Sequence, residues 1–445
     1  MDLADTLNLG CLCSTLQPQL LQQELDARPG LQGLAQQLAA SRPHLFSATR
    51  VFISQRDFTT IERSVAALRR VAALPGYRDA ASQRGPEIAS HAFGPCGVFM
   101  GYDFHLDAQG PHLIEINTNA GGALLHAAAA RAHRSCCSPV DRMFGALSGL
   151  EKLDQAFIDM FRTEWRAQRG DSAPLRSVAI VDDEPAGQYL APEFELAREL
   201  FLSHGIQAVV ADPRELEWRG GALWHPALPE GTPIDLVYNR LTDFDLSEMR
   251  HAALRAAYVG GAAVITPHPR AHALHADKRN LVVLSDDALL AAWGASHEDR
   301  ALLRAVVPRT QPVTADNADA LWAQRRRLFF KPAGGYGSKA AYRGDKLTRR
   351  VWNEILAGNF VAQALVLPSE RLVDVDSRPT RLKLDLRAYA YDGAIQLLAA
   401  RTYCGQTTNF RTSGGGFSPV VVLPTLADAP GLEIAAEPHS GACTC

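Results

Sequence analysis

The sequence predicts an α/β (α+β) protein with more than one folding unit, and three observations support this. The chain has 445 residues, which is too long for one simple hydrophobic core. Residues 176–275 alternate short apolar segments with amphipathic ones, a pattern typical of a parallel sheet covered by helices. After residue 310 the pattern is mainly strand and turn, with apolar and polar side chains alternating cleanly along one long segment.

Composition and charge exclude several classes of partner. The hydrophobic fraction of 47% and the charged fraction of 21% are ordinary for a globular chain. The net charge of −3 gives no electrostatic case for nucleic-acid binding. No segment reaches the roughly 18 apolar residues of a membrane-spanning helix, and the N-terminus lacks the pattern of a signal peptide. We therefore expect a cytoplasmic location, with neither nucleic acid nor membrane as a partner.

The N-terminal part of the chain reads as mainly helical. Residues 1–50 predict helices interrupted by Pro and Gly. Thr59 followed by Glu62 has the form of a capping box, in which two side chains satisfy backbone N–H groups at the start of a helix. The helix after it would bury one face at helical spacing, formed by Ile61, Val65, Leu68 and Ala72.

A predicted hairpin within Gly101–Gly122 carries candidate metal ligands. Asp107–Gly110 supplies a turn, so Asp103 and Glu115 belong to two adjacent strands. Side chains alternate faces along a strand, so Glu115 and Asn117 point the same way. Carboxylate and amide oxygens are hard ligands that suit magnesium together with substrate phosphates. The alternative is an ordinary hairpin with acidic residues on its solvated face.

The segment from residue 151 to 275 predicts helices and parallel strands in turn. Within it, helices are expected at residues 151–169, 194–204 and 246–258, and a buried strand at Val178–Val181; a further helix is expected before it, at residues 123–132. A dinucleotide-binding domain is the obvious interpretation of such alternation. However, the turn Asp182–Pro185 after that strand has no Gly-x-Gly-x-x-Gly, and its acidic residues would repel a pyrophosphate.

Glycine-rich loops and lysines in the second half indicate phosphate binding. Leu328–Lys339 is an apolar strand that carries Lys331 into a loop with three glycines, which lets backbone N–H groups approach phosphate oxygens. Thr407–Gly416 places Asn409 beside three more glycines. The alternatives are a flexible hairpin turn for the first loop and, for Lys278, an ordinary surface lysine.

Two arginines are predicted on neighbouring strands. Leu382–Tyr391 alternates cleanly, and Asp392–Gly393 is a strong hairpin signal. Arg387 and Arg401 would then lie on facing strands, where two guanidinium groups suit a phosphoryl or carboxylate clamp. The alternative is that Asp385 pairs with one of them structurally.

Eight cysteines include two Cys-x-Cys pairs, one near each end of the chain, at Cys11/Cys13 and Cys443/Cys445. Four thiolates could bind zinc if the termini met. The spacing differs from the usual Cys-x-x-Cys, so thiols that bind no metal are the favoured interpretation.

Taken together, these segments resemble an ATP-grasp enzyme, close to glutathione synthetase and D-alanine–D-alanine ligase. In that family the metal-ligand hairpin normally comes last, whereas here it comes first, so the resemblance implies a circular permutation, as in eukaryotic glutathione synthetase and glutathionylspermidine synthetase. Ala120 stands where the ligases often have proline, and Gln363 stands near a frequent hinge carboxylate. The resemblance rests on Asp277-Lys278, Lys331-Pro332 with Gly334–Ser338, Val361–Leu367 with Glu370, Asp385-x-Arg387, Asn409 with Gly414–Gly416, and Asp103…Glu115-x-Asn117.

The resemblance implies a ligase that joins a small-molecule carboxylate to an amine, such as an amino acid or peptide, through an acyl phosphate. ATP and Mg2+ would be the cofactors, with Asp103, Glu115 and Asn117 as metal ligands. Catalysis would rest on Arg387, Arg401 and Asn409. ATP would be bound by Lys278, Lys331, Gly334, Gly335, Tyr336, Gly337, Ser338, Gln363, Leu365 and Glu370. The acceptor pocket would be bordered by Arg240, Asn119, Gly121 and Gly122.

The chain is expected to have five parts, and two other functions stay open. The parts are a helical region (1–94), the permuted end of the grasp core (95–170), a preceding α/β domain (171–275), the ATP-binding subdomains (276–423) and a tail (424–445). A grasp-fold kinase would share every nucleotide contact, and a non-catalytic nucleotide-binding protein would share most of them. The acid, the amine and the role of residues 1–90 stay open, including a homodimer interface.

Overall fold

The structure is a computed structural model that describes residues 2–134, 149–334 and 340–424. Its strands are β1 (Val51–Ser54), β2 (Met100–Asp107), β3 (Gly110–Asn117), β4 (Ser177–Val181), β5 (Gln207–Ala211), β6 (Glu217–Arg219), β7 (Ala222–Trp224), β8 (Leu236–Asn239), β9 (Val264–Thr266), β10 (Thr310–Pro312), β11 (Leu328–Pro332), β12 (Tyr342–Arg343), β13 (Phe360–Ala364), β14 (Ser369–Val375), β15 (Arg378–Tyr391), β16 (Ala394–Tyr403) and β17 (Gly416–Leu423).

Helices cover these sheets and connect them. The α-helices are Leu3–Gly10, Pro18–Asp26, Leu34–Ser41, Gln55–Ala72, Pro75–Arg84, Ala123–Ala132, Leu153–Arg169, Ala191–Ser203, Ala252–Val259, Pro269–Ala271, Arg279–Leu284, Asp287–Ala292, His297–Val306, Ala318–Ala323 and Arg349–Ala357. Within the described ranges, no helix combines the length and the apolar character needed to cross a membrane.

The largest sheet brings the early hairpin beside the late strands. Its order is β1-β17-β16-β15-β2-β3, with β14 also paired to β15. The register places Asp103 opposite both Glu115 on β3 and Arg387 on β15. It also places Asp385 opposite Arg401 on β16. Strands from the first and last parts of the chain therefore lie side by side in one sheet. The early hairpin thus meets the late strands, as the sequence predicts.

The side chains of the long strand β15 alternate between a polar face and an apolar face of this sheet. Leu384, Leu386 and Ala388 are buried in a core with the helix Gln55–Ala72. The alternate residues turn to the other face, as the period of two in the sequence predicts. The polar side chains of β15 and its neighbours consequently share one side of the sheet.

A second sheet, β10-β13-β11-β12, carries Lys331 on β11. Phe330 on the same strand is buried against Trp352 and Ile355 of the helix Arg349–Ala357. Lys331 points to the opposite side because neighbouring side chains on a strand alternate. This small core therefore fixes the direction in which the lysine leaves the strand.

The predicted parallel sheet is present, with the order β5-β4-β8-β9. Its central strand β4 is buried along its whole length, as expected for a parallel strand covered on both faces. The helix predicted at residues 194–204 begins earlier, at Ala191. The helix predicted at residues 246–258 begins later, at Ala252, because the Asp243 carboxylate accepts hydrogen bonds from Ser247 Oγ and Glu248 N and holds a turn there.

The predicted capping box at Thr59 and Glu62 is wrong. The helix begins four residues earlier, at Gln55, and Ser54 is its N-cap. Ser54 Oγ accepts a hydrogen bond from the backbone N–H of Asp57 at 3.1 Å. Because β1 ends at Ser54, the chain turns directly from strand to helix, and Thr59 lies inside the helix.

Candidate active site

A cleft of about 420 Å³ lies between the polar face of the large sheet and the second sheet. Asp103, Glu115 and Asn117 line it from the hairpin, and Lys278 and Lys331 line it from later in the chain. Lys331 Nζ donates hydrogen bonds to the backbone oxygen of Ile114, at 2.7 Å, and to Gln363 Oε1, at 2.9 Å. The acidic hairpin and the glycine-flanked lysine therefore meet in one cleft, although 217 positions separate Ile114 from Lys331.

Two arginines, the buried Arg387 and the partly exposed Arg401, hold the carboxylate of Asp103. Arg387 donates two hydrogen bonds to it, both of 2.6 Å, and Arg401 donates one of 2.9 Å. Burial alone would raise the pKa of Asp103, but the two guanidinium groups hold it well below its ordinary value. Arg401 also binds both oxygens of Asp385, each at 2.9 Å. Asp385 thus pairs with one arginine, which is the structural alternative considered above, while both arginines still line the cleft.

Glu115 and Asn117 present hard oxygen atoms to the cleft. Asn117 Nδ2 donates to Glu115 Oε1 at 3.1 Å and to Asp103 Oδ2 at 3.2 Å. These bonds orient the amide so that Asn117 Oδ1 and Glu115 Oε2 accept no hydrogen bond from the described residues. Burial would raise the pKa of Glu115, but Lys278 and Lys331 bring it below its ordinary value. Glu115 is therefore a carboxylate anion at neutral pH.

The candidate metal ligands differ in how available they are. The two Asp103 oxygens already accept four hydrogen bonds, from Arg387, Arg401 and Asn117. Among the described ranges, no group of three or more His, Cys, Asp or Glu side chains is arranged to hold a metal. A cation here would need the amide oxygen of Asn117 beside Glu115, with substrate oxygens completing its coordination.

Lys331 is buried, 4% exposed, and its surroundings perturb its proton affinity. Burial lowers the pKa of Lys331 to about 8, with a further lowering from the positive charge of Lys278 and an opposing effect of Glu115. Lys278 lies at the start of the helix Arg279–Leu284, and its backbone N–H donates to Ala333 O at 3.0 Å. This bond fixes the entry of the glycine-rich loop. Gly334 is at its start, whereas Gly335, Tyr336, Gly337 and Ser338 lie outside the described residues.

The segment after β13 forms one edge of the cleft. Gln363 and Leu365 both line it. Leu365 N donates to Arg327 O at 2.8 Å, and His105 Nδ1 donates to Val366 O at 2.8 Å. Gln363 is 2% exposed, and its Nε2 has no hydrogen-bond partner among the described residues. A buried amide donor without a partner is costly, so a ligand acceptor at this edge would satisfy it.

Glu370 and Asn409, predicted to bind ATP and to act in catalysis, do not line the cleft. Glu370 on β14 is exposed and pairs with Arg381 at 3.0 Å. Asn409 uses its side chain within its own loop, donating to Cys404 O at 2.7 Å and accepting from Arg411 N at 3.0 Å. The neighbouring residue, Thr408, contacts the charged residues of the cleft instead, because its Oγ1 donates a hydrogen bond to Asp385 at 2.6 Å. Only its place beside Asn409 could have suggested Thr408 from sequence.

The predicted acceptor residues lie together at the end of the cleft nearest the parallel sheet. Asn119 lines the cleft, and its Nδ2 donates to Arg240 O at 2.6 Å while its Oδ1 is buried without a partner in the described ranges. Arg240 is buried behind it, and a Cβ atom on Gly121 would come within 2.8 Å of Arg240 Nη2. Gly122 has a φ of 103° and donates its N–H to Glu193. Arg240, Gly121 and Gly122 are thus a second layer behind the cleft wall.

An aromatic pair that no sequence pattern indicated lines the same end of the cleft. The rings of Phe244 and His272 stack with centroids 3.7 Å apart and planes 9° from parallel. Thr118 Oγ1 lies 3.3 Å from His272 Nδ1. Burial lowers the pKa of His272 to about 4, so the imidazole is neutral at physiological pH. The pair forms a flat, uncharged part of the same cleft wall.

The terminal Cys-x-Cys pairs cannot be compared in space. Cys11 and Cys13 belong to the described N-terminal segment, whereas Cys443 and Cys445 lie outside the described residues. Thiols that bind no metal stay the prediction, and a zinc site that joins the two ends stays the alternative.

Comparison with known proteins identifies the fold. No family model and no curated protein matches this chain. Among solved structures, a glutathione synthetase-like effector from Globodera pallida, in its apo form, aligns with 91% of this chain and 98% of its own, at 13% identity and a TM-score of 0.52. A protein from Methylobacillus flagellatus, provisionally described as a gamma-glutamylcysteine synthetase, aligns with 80% of this chain and 84% of its own, at 10% identity and a TM-score of 0.46.

Only the first TM-score is high enough to define a shared architecture, and its identity is so low that the likeness concerns the fold alone. The chain shares the α/β fold of this glutathione synthetase-like effector. The fold class and the resemblance predicted from sequence are confirmed.

Proposed function

We propose that this protein is an ATP-dependent ligase that joins a carboxylate to an amine through an acyl phosphate and releases ADP and phosphate. The observation that carries the proposal is the bond from Lys331 Nζ to the backbone of Ile114, next to Glu115. It places a buried cation and a hard-oxygen pair around one space, which is the combination that a polyphosphate requires.

Lys331 and Lys278 would bind the phosphates of ATP. Both are nine-tenths buried, so each charge acts in a low dielectric, where it is worth more than in water. Arg387, Arg401, Asp103 and Asp385 carry charges that cancel, so these four residues add little net attraction for phosphate. At the edge of the cleft, Gln363 Nε2 would donate to an acceptor atom of the adenine.

The residues present fit a magnesium ion, which in such a site would neutralise phosphate oxygens and align them for transfer. Glu115 and Asn117 offer the two open oxygens. Asp103 would join them only by giving up one of its four hydrogen bonds. Asp103 lies opposite Glu115 in the strand register. Asn117 Nδ2 donates to both carboxylates, so Asp103 helps to orient the Asn117 amide.

Arg387 and Arg401 would act on the acid substrate. The substrate carboxylate attacks the γ-phosphorus of ATP, which forms the acyl phosphate and releases ADP. The amine then attacks the acyl carbon, and inorganic phosphate leaves with the electron pair of the broken C–O bond. Both arginines are held rigidly by Asp103 and Asp385, so their remaining N–H groups are positioned before charge develops on the phosphoryl group.

The acceptor would bind at the end of the cleft bounded by Asn119, Phe244 and His272. The unpartnered Oδ1 of Asn119 could accept a hydrogen bond from the attacking amine, and the stacked rings would pack against the apolar part of the acceptor. Arg240 would position Asn119 from behind through its backbone oxygen.

The proposal is tested by a screen of ADP release, with magnesium present, against amino acids, small peptides, thiols and polyamines. Hydroxylamine is then added to reactions that contain an acid and no amine. A ligase forms an acyl hydroxamate there, because hydroxylamine traps the acyl phosphate, whereas a kinase forms a stable phosphate ester. ADP release without hydroxamate or amide product, for every acid tested, would contradict the proposal.

A further inference from the structure

A second cavity, of about 300 Å³, lies on the other side of the large sheet from the cleft. Met100 and Tyr102 of β2 line it, whereas Asp103, the next residue along the strand, lines the cleft. Phe93 and Leu274 add apolar wall. The two cavities therefore lie on opposite faces of the sheet, at neighbouring residues of β2, and share no lining residue.

Positive charge dominates this second cavity. Three arginines line it, Arg69, Arg78 and Arg270, against one carboxylate among the described lining residues, Asp392. Arg69 Nε donates to Asp392 Oδ1. In the part of the chain that the structure describes, neither Arg78 nor Arg270 forms an ion pair, and Arg270 Nη1 donates only to the backbone oxygen of Ala89, at 3.2 Å. The lining thus carries two arginine charges that no carboxylate balances.

The other polar groups of the cavity do not change this balance. Burial lowers the pKa of His268 and of His275 to about 4, so both are neutral at physiological pH. His268 is held by Pro95 O and by the backbone N–H of Ala271. Burial raises the pKa of the Cys96 thiol to about 11, so it carries no negative charge.

We propose that this cavity is a second anion-binding site, which takes a small molecule with two negative charges, on a phosphate group or on a pair of carboxylates. Arg78 and Arg270 supply the unbalanced charge, and the apolar wall of Phe93, Met100 and Leu274 accommodates a short carbon skeleton. The volume is smaller than that of the cleft, which suits a compact anion better than a nucleotide.

The position of the site also connects it with the cleft. Asp392 lies in the turn between β15 and β16, the strands that carry Arg387 and Arg401. An anion that competes with Asp392 for Arg69 would act on that turn directly. The inference about binding does not depend on the proposed ligase activity, because it concerns a different cavity and is tested without ATP.

The test is calorimetric titration of the full-length protein with inorganic phosphate, glycerol 3-phosphate and succinate. Lys331→Ala removes a cation from the cleft, and Arg78→Glu places a carboxylate at the rim of the second cavity. Arg78 is exposed and makes no side-chain bond in the described ranges, so this variant is expected to fold. The double variant Arg78→Ala/Arg270→Ala removes both unbalanced charges. Arg350→Ala, at an arginine 87% exposed elsewhere, is the matched control.

We expect at least one of the three anions to bind the wild-type protein, Lys331→Ala and Arg350→Ala with equal affinity. Arg78→Glu and the double variant should bind it about tenfold more weakly or worse, since each loses charge-assisted hydrogen bonds. The comparison of phosphate with succinate identifies which type of dianion the site takes. Absence of binding by all three anions, or binding lost in Lys331→Ala and kept in Arg78→Glu, would overturn the proposal.

Discussion

The two faces of the large sheet are built from the same strands, but one carries charged side chains of the cleft and the other packs into an apolar core. On the cleft face, Asp103, Arg387 and Arg401 are joined by charge-assisted hydrogen bonds of 2.6 to 2.9 Å. On the opposite face, Leu386 and Phe104, from those same two strands β15 and β2, are fully buried in an apolar core. Because strand side chains alternate, one register error would exchange the two sets.

Because the two faces differ in this way, substitutions at alternate positions of β2, β3 and β15 should affect either activity or stability. A buried charge cluster adds little to the net free energy of unfolding, because desolvation offsets the attraction between its charges. Apolar side chains, in contrast, stabilise the fold through burial and packing. Changes on the cleft face that leave no charge of the Asp103, Arg387, Arg401 and Asp385 cluster unpaired should therefore alter turnover at nearly constant stability. Changes on the other face should do the reverse.

The largest expected effect is on turnover. Glu115→Gln keeps the side-chain volume and the hydrogen bond from Asn117 but removes the charge that would hold magnesium. ADP release should fall by a factor on the order of 100 or more, while the thermal unfolding midpoint stays that of the wild type. Normal ADP release in this variant would remove the assignment of Glu115 as a metal ligand.

On the opposite face, Leu386→Ala should destabilise the fold by about 2–5 kcal/mol, since Leu386 is fully buried and its loss leaves a cavity. Denaturant unfolding measures this, and nucleotide affinity of the folded fraction should be unchanged. The matched control is Leu202→Ala, at a leucine 36% exposed, which should cost less than about 0.5 kcal/mol. Equal losses in the two variants would show that Leu386 is not a core residue.

A smaller effect is expected from pH. Lys331 attracts phosphate only while protonated, and its pKa in the protein without nucleotide is lowered to about 8. Affinity for ATP should therefore weaken as the pH rises through about 8. Lys331→Arg keeps its charge throughout this range, so the decline should be absent in that variant. The same decline in both proteins would assign it to another group.

The smallest effect is expected for Glu370→Gln. The resemblance suggested Glu370 for the ribose of ATP, but the structure places it outside the cleft, paired with Arg381. An exposed ion pair contributes little, so the Michaelis constant for ATP should stay within the error of the wild-type value. A clear increase in that constant would instead support a direct contact with the nucleotide.

Local pattern predicted much of the fold. The alternation in β15 and the turn at Asp392–Gly393 follow from local chemistry and were predicted correctly. The N-cap was misplaced because both Ser54 and Thr59 are followed by an acidic residue three positions later, and only the end of β1 decides between them.

The site was harder to predict wherever it depends on distant contacts. Arg387 and Asp103 are 284 positions apart, and no local signal says that β2 lies beside β15. The resemblance brought them to one site but did not pair them. Phe244 and His272 were missed because single aromatic residues in loops carry no periodicity.

A double-mutant cycle of Glu115→Gln and Lys331→Ala tests most directly whether the early hairpin and the later lysine bind the same nucleotide. The measured quantity is the affinity for a non-hydrolysable ATP analogue with magnesium, in the wild type, both single variants and the double variant. If both residues serve the same phosphates, the combined loss should be smaller than the sum of the single losses by about 0.5–3 kcal/mol. Strictly additive losses would contradict a shared nucleotide site.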